Sequence, residues 1–260
     1  TYFLDVNTLA DFSGTWIYNN HDVGNVTSFT VSGLTCATSY SYRLRASNSH
    51  GTTSNSNIIT LETSPCAGGV GTVENPTTGR TWMDRNLGAS QVAESLADED
   101  AYGDYYQWGR AADGHEKRTS GTTTTLSNSD TPGHGDFIVA PDEPYDWRSP
   151  QNDDLWQGVN GINNPCPSGY RLPTDAEWET EKLSWSSQDA AGAFASPLKL
   201  TAAGYRYYGD GEFYLEGTDG SYWSSSVMYS GTWGLFFNSS YADIFATYRS
   251  YGFPVRCIKD

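Results

Sequence analysis

Only one stretch of this 260-residue chain carries the signals of a well-defined helix. It follows Arg171-Leu172-Pro173. Thr174 is an N-cap, Glu177 three residues on completes a capping box, and Ala176-Glu177-Trp178-Glu179-Thr180-Glu181 continues the turn. Residues 188–195 (Gln-Asp-Ala-Ala-Gly-Ala-Phe-Ala) offer a second, shorter helical segment. Everything else has to be built from strands and loops. The usage agrees: 18 Tyr, 9 Trp and 27 Gly stand against 2 Met, a bias toward β-rich, loop-rich chains rather than helical ones.

The 15 basic and 31 acidic residues give a net charge of −16. That field repels a polyanion, so nucleic acid is excluded as a partner. No run approaches the roughly 18 apolar residues of a membrane span. Thr1 enters directly into Tyr2-Phe3-Leu4-Asp5-Val6, a strand pattern already under way. The chain is therefore expected to be a fragment of a longer one, with any export signal upstream. Cys36, Cys66, Cys166 and Cys257 allow three pairings. None lies in a C-x-x-C or beside a metal-spaced His, which argues against zinc. One or two disulfides in an oxidising compartment is preferred over four buried thiols.

Two halves are distinguishable. Residues 1–64 read as short strands with turn punctuation. Thr27 to Val31 alternates, Tyr40 to Ala46 alternates with Tyr40, Tyr42, Leu44 and Ala46 on one face, Asn48-Ser49-His50-Gly51 is a turn, and Ile58 to Leu61 closes. Leu34-Thr35-Cys36-Ala37-Thr38-Ser39-Tyr40 followed by Arg43-Leu44-Arg45-Ala46-Ser47-Asn48 resembles the fibronectin type III family, where such a Leu and Tyr pin a turn between two strands of an immunoglobulin-like sandwich. Only four or five of about seven strands are found, so the sandwich is expected to be incomplete, its first two strands upstream. Residues 65–71 form a Pro/Gly linker. Beyond it, residues 113–135 are polar and Thr/Ser/Gly-rich, a long surface loop.

Residues 72–260 carry an ordered series of motifs. These are Trp82-Met83-Asp84-Arg85-Asn86-Leu87-Gly88, Tyr105-Tyr106-Gln107-Trp108-Gly109-Arg110, Pro165 to Thr174, Ala176-Glu177-Trp178, Tyr222-Trp223-Ser224-Ser225-Ser226 and Val255-Arg256-Cys257. Together they resemble the Fibrobacter-type major paralogous domain, a branch of the C-type lectin fold related to formylglycine-generating enzymes. The fold class implied is multidomain: an all-β immunoglobulin-like sandwich followed by an α+β C-type lectin fold.

The tail resembles the variable proteins of diversity-generating retroelements, found in bacteria and in phages of gut bacteria. The framework of that family matches Trp233, Leu235, Phe237, Ser239, Ser240, Arg249, Gly252 and Val255-Arg256-Cys257. The resemblance implies a variable region over about 229–253, with diversified, ligand-binding positions at Ser230, Gly231, Thr232, Gly234, Phe236, Asn238, Tyr241, Asp243, Phe245, Thr247, Tyr248, Ser250, Tyr251 and Phe253. Adenine-directed change of an AAC or AAT codon never yields Lys, Glu, Gln, Met or Trp, and none of these positions holds one. Their Tyr/Phe/Ser/Gly/Thr/Asn chemistry is that of paratopes: rigid aromatics give contact area at low entropic cost, and small polar residues adapt. In Trp233 to Asn238, period two sends Trp233, Leu235 and Phe237 inward and Gly234, Phe236 and Asn238 outward.

Enzyme readings find little support. Cys166 and Cys257 stand in framework motifs without a third Cys or neighbouring His for a redox metal site. A disulfide tying the lectin-fold core to its last strand is their expected use, and Cys36 with Cys66 would tie the sandwich to the linker. His21, His50, His115 and His134 are not grouped, and the last two fall in the polar loop, where solvation is expected. Asp153-Asp154, Glu94 and Asp98-Glu99-Asp100 are weighed as an acid pair or calcium cage against a solvated acidic face, which is preferred. Pro150-Gln151-Asn152-Asp153-Asp154 approaches the calcium tripeptides of sugar-binding lectins only in composition. The expectation is thus a protein with no catalytic residues, cofactor or metal, calcium being the one alternative. It would bind a protein or glycan ligand, extracellularly, on a bacterial surface or phage virion. An invariant surface protein with a structural or polysaccharide-binding role is the alternative, and a formylglycine-generating-type oxidase a distant third.

Overall fold

The computed structural model describes residues 1–31, 34, 38–62 and 71–260. The linker at 65–70 and both Cys36 and Cys66 lie outside the described residues. The chain divides into two compact units, Thr1–Val70 and Gly71–Asp260, and strand is the predominant regular structure among the described residues of both. No helix among the described residues is long and apolar enough to cross a membrane.

The first unit holds one antiparallel sheet. Its strands are β1 (Tyr2–Asn7), β2 (Trp16–Gly24), β3 (Ser39–Asn48), β4 (Gly51–Thr52) and β5 (Ile59–Glu62). β1 lies between β2 and β3, and β4 and β5 both pair with β3. Register sets Leu4 opposite Leu44 and Val6 opposite Tyr42, so period two gathers Leu4, Val6 and Tyr40 into a small core with Ile17, Val23 and Val31 around it. On the other face Asp5 is buried between two guanidiniums, accepting from Arg43 Nε at 2.8 Å and Arg45 at 3.1 Å, and from the Asn20 amide. Burial works to raise its pKa, but the Arg43 bond and the other donors outweigh it and hold the carboxyl below its usual range.

One expectation is corrected here: Thr27–Val31 is not a strand. Its alternation has no neighbouring strand to pair with among the described residues. Phe29 and Val31 instead border an open apolar groove of about 360 Å³, with Leu4, Val6, Leu34 and Tyr42 on its walls. A second sandwich sheet is not present among the described residues.

The second unit is a mosaic of short sheets. β6 (Thr72–Asn75) and β7 (Arg80–Met83) join β11 (Tyr170–Arg171) and β18 (Ile258–Lys259) in the order β11-β18-β7-β6. β8 (Tyr106–Gln107), β12 (Tyr205–Arg206), β13 (Phe213–Tyr214) and β17 (Gly252–Phe253) form β13-β12-β17-β8. β14 (Gly220–Met228), β15 (Gly231–Phe237) and β16 (Ala242–Thr247) make a three-stranded antiparallel sheet. β9 (Thr122–Thr123) pairs in parallel with β10 (Phe137–Ile138). The two helices are α1 (Asp175–Leu183) and α2 (Ala190–Ala195). α1 starts with the capping box expected of it, Thr174 accepting from the Glu177 amide while the Glu177 carboxylate accepts from the Thr174 amide.

The sequence puts Trp where this loop-rich unit needs packing. Trp82 stacks on Trp178 of α1 at 4.9 Å, and both join Trp185, Tyr222, Leu235, Phe237 and Ile258 in one core. Buried indole N–H groups usually find a partner; Trp82 Nε1 has none among the described residues, but four others staple loops together. Trp178 donates to the Trp223 carbonyl, Trp223 to Tyr106, Trp108 to Ser224 and Trp147 to Trp108. Cys166 and Cys257 form a disulfide across 91 residues, tying the segment before β11 to the start of β18.

Candidate functional site

The site is built on β14–β16. In an antiparallel sheet, directly opposed residues share a face. Leu235 opposes Ile244 and Phe237 opposes Ala242, and this face packs toward Trp178 and Trp185. Gly234 opposes Phe245, and Thr232 opposes Thr247, on the other face. There the rings continue one another. Tyr241 lies 6.0 Å from Phe245, Phe245 6.1 Å from Phe236, Phe236 5.5 Å from Phe253, and Phe253 5.3 Å from Tyr251. Tyr251 then meets Tyr208 at 4.7 Å and Tyr205 at 5.3 Å. Tyr248, stacked parallel to Tyr251, also packs on Tyr145 at 4.3 Å. Tyr241, Phe245 and Tyr248 nevertheless stay 42%, 46% and 39% exposed.

Of the fourteen positions expected to be diversified, Ser230, Tyr241, Asp243, Phe245 and Tyr248 are exposed, and Gly231, Phe236, Asn238, Thr247 and Tyr251 are half-buried. Four are not on the surface, which corrects the expectation for them. Thr232 is buried, its hydroxyl donating to the Ser226 carbonyl at 2.7 Å. Ser250 is buried, donating from Oγ to the Tyr145 carbonyl while its own carbonyl accepts from Gln107 Nε2. Phe253 packs on the Trp223 indole at 4.2 Å. Gly234 lets the Phe236 ring lie against the backbone, since a Cβ there would sit 3.1 Å from that ring. Trp233, expected inward, is only half-buried. Asp243 turns to Lys182 of α1 at 3.2 Å. Asn238 is held as a turn former, its Oδ1 accepting from the Ser240 amide.

The hairpin between β14 and β15 is pinned from behind. Met228 opposes Gly231, leaving Tyr229-Ser230 as a two-residue turn. The carbonyl of Ser230 accepts from Gln151 Nε2 at 2.8 Å, and that of Gly231 from Arg249. Arg249 is buried over the Trp108 ring at 4.6 Å, donates to the Asn152 carbonyl and pairs with Asp146 and Asp153. The segment Gln151-Asn152-Asp153, weighed as a calcium site, thus serves as the hairpin's mooring.

Two clefts flank Thr247 and Tyr251. One, of about 470 Å³, runs between the Tyr229-Ser230 turn and Tyr248. The other, of about 180 Å³, is walled by Tyr205, Leu215, Phe236, Tyr241 and Tyr251, with Asp219 and Ser221 on its lining. Burial first, then the neighbouring Tyr207 and Asp219, push the Tyr205 phenol up. The hydrogen bond with Tyr207, with burial, raises Tyr208 to about 12. These phenols stay neutral donors at physiological pH.

The fourteen positions omit several members of this face. Tyr145, Tyr205, Tyr207, Tyr208 and Tyr214 come from loops and strands distant in sequence. Tyr229 is 91% exposed with φ of 49°. Tyr145 and Leu215 share that left-handed region, with φ of 57° and 59°. For Tyr229 a signal was available: a bulky residue at a two-residue hairpin turn, where Gly or Asn is the rule.

The other candidate groups are accounted for. His115, expected to be solvated, is buried. Its Nε2 accepts from the Gln107 amide at 3.0 Å and its Nδ1 faces Asp113 at 2.6 Å. Asp113, His115 and Glu116 make the one cluster among the described residues with metal-ligand spacing. Those ligand atoms are already taken, since Arg110 also holds Asp113 at 2.7 Å. Asp98 accepts from Gln91 and from the Glu94 amide, ordering its own loop.

Residues 185–258 match a family described as a domain of unknown function (DUF8237). The matched span contains β12–β17 and every ring of the aromatic face except Tyr145. No curated protein and no solved structure matches the chain.

Proposed function

We propose that this chain is a non-enzymatic, extracellular ligand-binding protein of a bacterial or phage surface. In this reading an immunoglobulin-like module precedes a C-type-lectin-type domain, whose β14–β17 face meets a protein or glycan and is diversified by a retroelement. The observation that carries the reading is the run of rings from Tyr241 through Phe245 and Phe236 to Tyr251 and Tyr248, all partly exposed and joined between Phe236 and Tyr251 by the buried Phe253. Water-exposed aromatics in a contiguous patch are costly unless a partner covers them. Their mounting favours recognition as well: the backbone carrying them is fixed by Arg249, Gln151 and buried Trp indoles. Preorganised aromatics bind with little loss of entropy. The strained Tyr229 and Tyr145 point the same way, because left-handed bulky residues concentrate at functional surfaces.

The burial pattern narrows the display set to Tyr229, Ser230, Phe236, Tyr241, Phe245, Thr247, Tyr248 and Tyr251. Sequencing the neighbouring DNA tests the reading. A near-copy of the 3′ coding segment, differing from it at adenines and lying beside a reverse transcriptase gene, is the expected result. A locus without either removes diversification.

A further inference from the structure

We propose that the cavity walled by Tyr205, Phe236, Tyr241 and Tyr251 receives a lysine or arginine side chain of a protein partner, with Asp219 as its counter-ion. This rests on the ligand-binding reading above and names the chemistry of its partner.

Three observations converge on it. First, the cavity of about 180 Å³ is walled by aromatic rings; at about 30 Å³ per water it has room for the end of a long side chain. Ring faces carry negative potential and attract alkylammonium and guanidinium groups. Secondly, Asp219 lines the cavity with its charge unspent. Its Oδ1 accepts one long hydrogen bond, 3.3 Å from Asn238 Nδ2, and no Lys or Arg among the described residues forms an ion pair with it. Thirdly, the surrounding charge is one-sided. Between residues 201 and 258 the three arginines, Arg206, Arg249 and Arg256, are all buried, whereas Asp210, Glu212 and Asp219 are exposed or half-exposed without an ion pair among the described residues; Glu216 and Asp243 are held by Arg118 and Lys182.

The pocket therefore presents aromatic rings beside a carboxylate that no cation among the described residues pairs with. A neutral sugar would use the rings but leave Asp219 unpaired. An acidic partner would be repelled by the −16 chain. A basic segment satisfies both parts of the pocket, and its approach would be accelerated at low salt.

The test is an NMR titration of the full chain with ethylguanidinium and butylammonium chlorides. Sodium chloride at equal ionic strength is the control, and choline chloride and N-acetylglucosamine represent a lipid headgroup and a glycan. Saturable shifts confined to the amides of Gly220, Ser221, Phe236 and Tyr251 are expected with the first two probes. Asp219→Asn should weaken them about tenfold, as expected for loss of a charge-assisted contact, and Tyr241→Leu should weaken them without unfolding the chain. Equal shifts in wild type and Asp219→Asn, or a response to choline or the sugar alone, would overturn the proposal. Those results leave the ligand-binding reading standing, because it fails on different data: an invariant surface stretch across isolates.

Discussion

Arg249 hydrogen-bonds the backbone carbonyl of Gly231 at 3.3 Å across 18 residues of sequence. The β14–β15 hairpin and the crossing into β17 are thereby one mechanical unit. The same guanidinium faces Asp146 at 3.8 Å, both side chains being almost wholly buried. Arg249→Met should therefore cost about 3–5 kcal/mol, the usual result of stranding one charge of a buried pair. Chemical denaturation measures this. A loss under about 1 kcal/mol would show that the mooring is dispensable.

Tyr229 should behave in the opposite sense. It occupies the left-handed region in a two-residue turn with its ring almost wholly in solvent. Tyr229→Gly is expected to stabilise the domain by about 1 kcal/mol through relief of that conformation, while weakening binding to a ligand. Thermal unfolding checks the first effect. A lowered melting temperature would mean that the ring makes a structural contact.

Exposed and buried aromatics of the same face should separate cleanly. Phe253→Ala, which empties the site against Trp223, should cost about 3–5 kcal/mol. Tyr241→Ser should cost no more than about 1 kcal/mol. Denaturation midpoints of the two variants make the comparison, and similar losses would place Tyr241 in the core.

His115 supplies a pH dependence. Burial is the main cause that lowers its pKa, to about 4, despite the Asp113 bond that works to raise it. The unfolded imidazole, near pKa 6.5, takes up its proton first as pH falls, so His115 subtracts stability between about pH 6.5 and 4. The stability gap between wild type and His115→Gln should shrink by about 2 kcal/mol from pH 7 to pH 5. An NMR midpoint for His115 near 6.5 would contradict this.

Features fixed by local chemistry were the ones legible in sequence. The Thr174/Glu177 capping box writes its own helix start, and the motif series with Cys166 and Cys257 led to a pairing that the structure contains. Period two placed Leu235 and Phe237 inward correctly. Thr232 enters the displayed set through the resemblance rather than through period two; its hydroxyl finds the Ser226 carbonyl across the hairpin and is satisfied in the interior. Ser250 is satisfied in the same way, by the Tyr145 carbonyl. The polar segment around His115 reads as a solvated loop, whereas its partners Gln107 and Asp113 make it a closed network that composition does not reveal. Tyr145, Tyr205 and Tyr208 join the face only through tertiary folding, so no pattern within 229–253 could include them.

Sequencing this locus across several isolates tests the central claim most directly. Substitutions concentrated at Ser230, Phe236, Tyr241, Phe245, Thr247, Tyr248 and Tyr251, over fixed Thr232, Gly234, Arg249, Ser250 and Phe253, are the predicted result. A uniform stretch, or changes spread evenly over buried and exposed codons, would contradict a diversified binding face.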